Sequence, residues 1–303
     1  MYRTLEDVTR KASEVSIGEI VLAGSDDREG LLALKEASER GIADPLLVGN
    51  KTSTTRLLSE ISFSAEIINA TTEEEIAEAA VKAVASSSRA CLMKGKIKTS
   101  SLLKAVLDKN WGLRTGRLLS HVACLDVEAL DRLVFVSDGG MVVKPDLSQK
   151  VEIVRNGVDL LNSLGYTEPA VAMIAAVETV NTDMPETVEA AVIAKMHDRN
   201  QIQRCILDGP LGLDNALSIV AARTKGLESP VAGIADLLVV PDIHSGNFLG
   251  KSAVYLAGGT IAGLIVGAAA PIIVVSRADS SKSKLASIAL ATISASDAST
   301  RPG

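Results

Sequence analysis

Aromatic side chains make up only 2% of this 303-residue chain: three Phe, three Tyr and one Trp. A close-packed core must therefore be built from Val, Ile, Leu and Ala, the palette of parallel strands buried on both faces. Cysteine is nearly as scarce. Cys91, Cys124 and Cys205 show no C-x-x-C spacing, and an odd count argues against a disulfide framework, so all three are expected to be reduced and buried. None of His121, His197 and His244 forms an evident sequence pair with a cysteine, which leaves a thiol nucleophile open only through pairing in space. No His, Cys and carboxylate spacing suggests zinc, and no metal is expected.

Positive charge is also in deficit. With 31 Lys and Arg against 37 Asp and Glu, the net charge of −6 gives no general field for nucleic acid or an anionic membrane, so any anion site must be local. The absence of G-x-G-x-x-G removes the main support for a nicotinamide dehydrogenase. No internal repeat, low-complexity tract or long linker is visible. Residues 1–15 are charged and amphipathic, without the apolar core of a secretory signal, and a cytoplasmic location is expected.

One long uncharged run opposes that view. Residues 252–276 would span a bilayer by length and carry Gly259, Gly263 and Gly267 at the spacing of a membrane helix-packing face. Pro271 divides the run, however, and amphipathic units precede it. The reading adopted is a buried small-residue helix followed by a buried strand, with no membrane partner.

Elsewhere, short apolar runs alternate with helix-period segments. Strands are expected at 20–23, 46–48, 65–68, 90–93, 133–136, 170–175, 205–207, 237–240 and 272–275, and helices at 29–40, 73–85, 102–109, 151–164, 186–197 and 213–223. Thr71 or Thr72 with Glu74 or Glu75 makes a capping box for the second helix. Such repetition predicts an α/β chain with parallel or mixed sheets flanked by helices. The short link between 119–125 and 133–136 predicts an antiparallel hairpin or arm at a domain boundary. The tail after Ile293 is expected to fray.

Four loops invite chemistry. The last apolar run ends in Ser276-Arg277-Ala278-Asp279-Ser280, delivering a hydroxyl, a guanidinium and a carboxylate where ligands gather in α/β proteins, and this points to phosphate. Residues 208–215 (Asp-Gly-Pro-Leu-Gly-Leu-Asp-Asn) would hold a polar ligand or form a plain capped turn. Residues 241–252 end in Gly250-Lys251-Ser252 and imitate a P-loop, but Ser245 stands where the motif needs glycine, so an NTPase gains little; backbone amides near a lysine would still attract phosphate. Lys94, Lys96, Lys98 and Lys104 surround Gly95 and Thr99 as a local basic patch, solvated or phosphate-binding.

Taken together, Met93-Lys94-Gly95, Leu113-Arg114, Leu119-Ser120-His121-Val122, Ala175-Ala176-Val177-Glu178, Asp208-Gly209-Pro210-Leu211 with Asp214-Asn215-Ala216, Asp236 to Pro241, Gly246-Asn247 with Lys251, and Ser276-Arg277-Ala278-Asp279-Ser280 resemble the phosphate acetyl/butyryltransferases, in order and over nearly the whole chain. The ending and the length look more like the butyryl branch. The resemblance implies a two-domain fold related to isocitrate and isopropylmalate dehydrogenases, with domains at 1–117 plus 265–303 and at 118–264. It also implies a homodimer or higher homo-oligomer, acyl-CoA in an interdomain cleft, and the reaction acyl-CoA plus phosphate to acyl phosphate plus CoA, with no tightly bound cofactor.

By the same resemblance Ser276 and Arg277 are catalytic. Lys94, Gly95, Thr99, Lys104, Ser120, Asp208, Gly209, Pro210, Asn215, Gly246, Asn247 and Lys251 would bind phosphate or CoA, and Tyr255 would line the acyl pocket. Two departures stand out. The acetyl-type aspartate falls on Ser283, leaving Asp279 as the substitute base, and a basic position falls on Tyr255, which fits a larger, less polar acyl group. His244 also replaces the usual Glu. The alternatives are a phosphate acetyltransferase and a non-catalytic acyl-CoA-binding module.

Overall fold

The computed structural model describes residues 2–15, 17–275 and 280–296. In chain order the elements are α1 (Leu5–Ala12), β1 (Gly18–Ala23), α2 (Arg28–Glu39), β2 (Ala43–Gly49), α3 (Lys51–Glu60), β3 (Glu66–Asn69), α4 (Glu73–Ala85), β4 (Ala90–Lys94), α5 (Thr99–Val106), β5 (Ser120–Asp126), β6 (Val134–Ser137) and α6 (Leu147–Ser163). They continue as β7 (Ala170–Ile174), α7 (Pro185–Asp198), β8 (Ile206–Leu211), α8 (Leu213–Leu217), α9 (Ile219–Thr224), β9 (Leu237–Val239), α10 (Ile243–Tyr255), β10 (Thr260–Val266), β11 (Ile272–Ile273) and α11 (Ser281–Ser296). Two compact units result, one running Leu118–Ile261 and the other joining Tyr2–Arg117 to the segment that begins at Ala262.

In the unit holding the N-terminal segment the strands lie in the order β3-β2-β1-β4-β11-β10, parallel except for the β10–β11 pair. β4 is buried along its whole length, as a strand covered on both faces must be. Helices α4 and α11 both pack on β1 and β4, and α11 also packs on α1 and α2. In the other unit the order is β5-β6-β9-β7-β8, parallel except for β5. Its core is aliphatic, with Val134, Val136, Ala172 and Leu238 at the centre. The aromatic pair Phe135–Tyr166 meets edge to face at 5.9 Å. Lys150 of α6 is buried in an ion pair with Glu189 of α7.

Local chemistry explains the helix starts. Thr4, Thr72 and Asp146 each close a full capping box, with Asp7, Glu75 and Gln149 respectively. Asp27, Asn50 and Asp242 cap α2, α3 and α10 with one side-chain oxygen each. The expected hairpin is present as the antiparallel pair β5–β6.

Several expectations are corrected. The stretch 213–223 is two helices, because Ser218 adopts an extended conformation and caps the second by accepting from Ala221 N–H. The C-terminal helix continues past Ile293 to Ser296, with Ala295 still buried, and the rest of the tail expected to fray lies outside the described residues. The uncharged run at 252–276 holds the last turn of α10 and then strand β10, not a helix followed by a single strand. β-branched Thr260, Ile261, Ile265 and Val266 favour the extended chain. Gly258 and Gly267, at φ of 66° and 93°, bracket it as turn residues. The glycine spacing therefore serves a strand and its ends. Among the described residues no helix is long and apolar enough to cross a membrane.

All three thiols are buried. Burial pushes Cys124 well above its ordinary value and Cys205 up to about 11, where the nearby Glu168 charge adds to the effect. With a pKa about 3 units above pH 8, the thiolate fraction of Cys205 is on the order of one in a thousand. Native protein is expected to resist thiol–disulfide exchange at pH 8, with three thiols appearing only after denaturation, counted by a chromogenic disulfide reagent.

Candidate active site

The parallel strands β1 and β4 end side by side, and their carboxyl ends define the first cluster. Gly95 N–H donates to Ala23 O at 2.8 Å and Lys96 N–H donates to Gly24 O at 2.8 Å, so the two chains leave the sheet locked together. Only glycine fits this crossing: a Cβ on Gly95 would lie 2.3 Å from Gly24 O, and one on Gly24, whose φ is 85°, would lie 2.8 Å from the Lys96 carbonyl carbon. Lys94, 9% exposed, folds back over the strand end and donates to Gly95 O at 3.2 Å. It lines a cavity of about 220 Å³ together with Asp27, Glu29, Gly95, Lys96, Val275 and Lys284. Lys96 pairs with Asp26 at 2.9 Å. Thr99 is exposed at the start of α5.

Lys104 lies elsewhere. It lines a separate hollow between α4 and α5 with Glu74, Glu78, Asp108 and Trp111, a setting richer in carboxylates than in cations.

In the unit 118–261 the carboxyl rim of the parallel strands gathers most of the remaining candidates. Because β5 runs antiparallel to β6, with Val122 opposite Ser137, its first residues Ser120 and His121 belong to the rim where β6 ends. Ser120 is fully buried and its Oγ accepts from Asn156 Nδ2 at 2.9 Å, which binds it to α6. Just beyond β6, buried Asp138 organises the rim. Its two oxygens accept from the N–H groups of His121, Gly140, Met141 and Val142 at 2.7 to 3.3 Å. Sequence reasoning passed over this residue, although an Asp-Gly-Gly at a strand end is a signal of such a turn.

Gly246 packs onto that turn so closely that a Cβ would come within 2.6 Å of Gly139 Cα, and Asn247 Nδ2 donates to Gly139 O at 3.4 Å. The P-loop likeness fails here. Asp242 accepts from Ser245 N–H at 2.8 Å and starts α10 at Ile243, so Gly250, Lys251 and Ser252 are helical and no amide nest forms around them. That N–H bond, ahead of burial, holds the Asp242 carboxyl below its usual range. Lys251 is exposed, and Tyr255 on the last turn is 70% exposed.

The loop 208–215 is a built corner. Gly209 is required because a Cβ would stand 2.5 Å from Met173 Cβ, and Asp208 Oδ1 accepts from Gly209 N–H at 2.8 Å. Pro210 follows within β8, opposite a register shift in β7. Asn215 is fully buried and donates from Nδ2 to Glu178 Oε2 at 3.2 Å, while its Oδ1 has no hydrogen-bond partner among the described residues. Lys225 bridges Glu178 at 3.3 Å and Asp214 at 3.1 Å. Its hydrogen bond keeps Asp214 below the ordinary carboxylate range, and Glu178 is lowered by its own backbone N–H and then by Lys225.

Lys94 and Gly95 thus share one cavity, Asp208, Gly209, Pro210 and Asn215 one corner, and Gly246 and Asn247 one turn contact, while Lys104 stands apart in its own hollow. Ser276, Arg277 and Asp279 lie outside the described residues. Lys284 and Glu178 with Lys225 were not singled out as candidate residues; for Lys284 the signal was a charge directly before the small and apolar run Leu285–Ser296.

Residues 64–292 match the family model described as "Phosphate acetyl/butaryl transferase". The "Probable phosphate butyryltransferase" of Bacillus subtilis is 46% identical over 95% of this chain and 96% of its own length, and the "Phosphate acetyltransferase" of Thermotoga maritima 40% identical over 90% and 94%. The crystal structure of a branched-chain phosphotransacylase from Enterococcus faecalis superposes with a TM-score of 0.82 at 31% identity, covering 92% of this chain and 99% of that one. The chain belongs to the phosphate acetyl/butyryltransferase family and is an acyltransferase.

Proposed function

We propose that this acyltransferase moves a butyryl or similar short or branched acyl group reversibly between CoA and inorganic phosphate. The observation that carries the reading is the family match across residues 64–292, a span within which every candidate site residue falls. An isocitrate dehydrogenase-like fold, a homo-oligomer, a cytoplasmic location and the absence of a tightly bound cofactor belong to the same proposal.

The chemistry suits the residues. A phosphate oxygen attacks the thioester carbon, the carbon–sulfur bond breaks, and the CoA sulfur leaves with the electron pair. Phosphate is already a nucleophile, so orientation supplies most of the acceleration, roughly 7–11 kcal/mol in well-aligned systems. Arg277 offers a fork to the phosphate oxygens, Ser276 donates to the developing oxyanion or leaving sulfur, and Asp279 takes the proton that phosphate gives up. Transfer is direct, without an acyl-enzyme, in keeping with the burial of all three thiols.

The test is a panel of acetyl-, propionyl-, butyryl- and isovaleryl-CoA with varied phosphate, following free thiol. The expected result is intersecting initial-rate lines and the highest kcat/KM for a four- or five-carbon acyl group. Parallel, ping-pong lines would sink direct transfer, and saturable CoA binding without turnover would leave a binding module.

A further inference from the structure

We infer that Lys94 and Lys284 together form a subsite for a phosphoryl dianion, which makes Lys284 a substrate-binding residue; this rests on the acyltransferase reading above. The two lysines come from elements far apart in sequence. Lys94 ends β4 and Lys284 stands in the first turn of α11, yet both line the same cavity of about 220 Å³. Both are buried, at 9% and 3% exposure, in a chain whose net charge is −6.

Burial of an ammonium group is costly wherever it occurs, and two facing one cavity also repel each other. A dianion seated between them attracts both ammonium groups and screens their mutual repulsion. The cavity holds a phosphate and several waters, taking about 30 Å³ as one water's share. The remaining wall favours a phosphoryl group that still carries a proton. Asp27 accepts from Gly30 N–H at 3.2 Å through Oδ1 while capping α2, and Glu29 lies 3.6 Å from Arg28. Either carboxylate can accept a P–OH hydrogen while the lysines take the charged oxygens. Val275, on the same wall, immediately precedes Ser276 in the chain, so an anion held here is one residue in sequence from the expected catalytic serine.

The acyl-transfer substrates offer two sources of a phosphoryl dianion, inorganic phosphate, which keeps a P–OH hydrogen, and the ribose phosphate of CoA, which does not. Lys284→Met keeps the length and apolar stem of the side chain and removes the charge; Lys94→Met does the same from the other element. A rise of about 10- to 100-fold in the KM for phosphate, with the KM for butyryl-CoA unchanged, supports the subsite with inorganic phosphate in it. A similar rise for butyryl-CoA but not for butyryl-dephospho-CoA supports it with the ribose phosphate. Unchanged KM values for both substrates in a folded variant overturn it.

Should both variants fail to fold, the unmutated protein decides. Inorganic phosphate is expected to slow acetylation of Lys94 and Lys284 by acetic anhydride, relative to exposed Lys51, in peptide mass spectra. Equal labelling with and without phosphate, and with and without CoA, overturns the subsite. This labelling does not depend on turnover, so failure of the subsite and failure of the acyltransferase reading remain separate results.

Discussion

Replacing Arg277 with alanine is expected to lower kcat/KM for phosphate by about a thousandfold, with little change in thermal stability. One preorganised donor in an oxyanion-type site contributes roughly 10²–10³ in rate, and a guanidinium that both binds and orients the phosphate belongs at the upper end. Arg277→Lys restores charge without the planar fork and should recover only part of the loss. Steady-state rates at several phosphate concentrations, with circular dichroism as the folding control, decide the matter. A fall of less than about tenfold would remove Arg277 from the phosphate site, since a surface ion pair alone has effects of that size.

Gly95→Ala is expected to damage stability and activity together. The added methyl would lie 2.3 Å from Gly24 O, 3.0 Å from Leu22 Cδ1 and 3.1 Å from Ala23 O. Two of these are backbone oxygens that accept the hydrogen bonds joining β1 to the end of β4, so relief of the clash breaks the lock. Overpacking of this severity costs about 3 kcal/mol, and at roughly 2–4 °C per kcal/mol the thermal midpoint should fall by about 6–12 °C. Because Lys94 and Lys96 flank the substituted residue, phosphate affinity should fall with it. A variant of native midpoint and native phosphate KM would show that the strand ends part freely and that the cavity is not built by this crossing.

Much of this molecule was legible in its residues. Runs such as Val21-Leu22-Ala23 and Cys91-Leu92-Met93 announce buried parallel strands, and Thr72 with Glu75 announces α4, because these patterns act through local geometry alone. The stretch from Ser252 to Ser276 was misread because small, uncharged residues satisfy a buried helix and a buried strand equally, and the choice was made by the pairing of β10 with β11. The P-loop likeness misled for a related reason. Asp242 caps at a point that only the fold reveals, and that places the Gly-Lys-Ser inside a helix.

Lys284 was hidden because a lysine in sequence reads as surface, whereas α11 is buried continuously from Ser283 to Ala295. The position of Lys104 was equally invisible: spacing put it near Lys94, and the fold turns it toward Trp111 and three carboxylates.

The account is tested most directly by phosphorus NMR on the purified protein incubated with butyryl-CoA and inorganic phosphate, with free thiol measured in parallel. The account predicts an acyl phosphate resonance that grows in step with CoA release and a thiol signal that vanishes when phosphate is omitted. CoA release that persists without phosphate, or that yields free acid and no acyl phosphate, would contradict it.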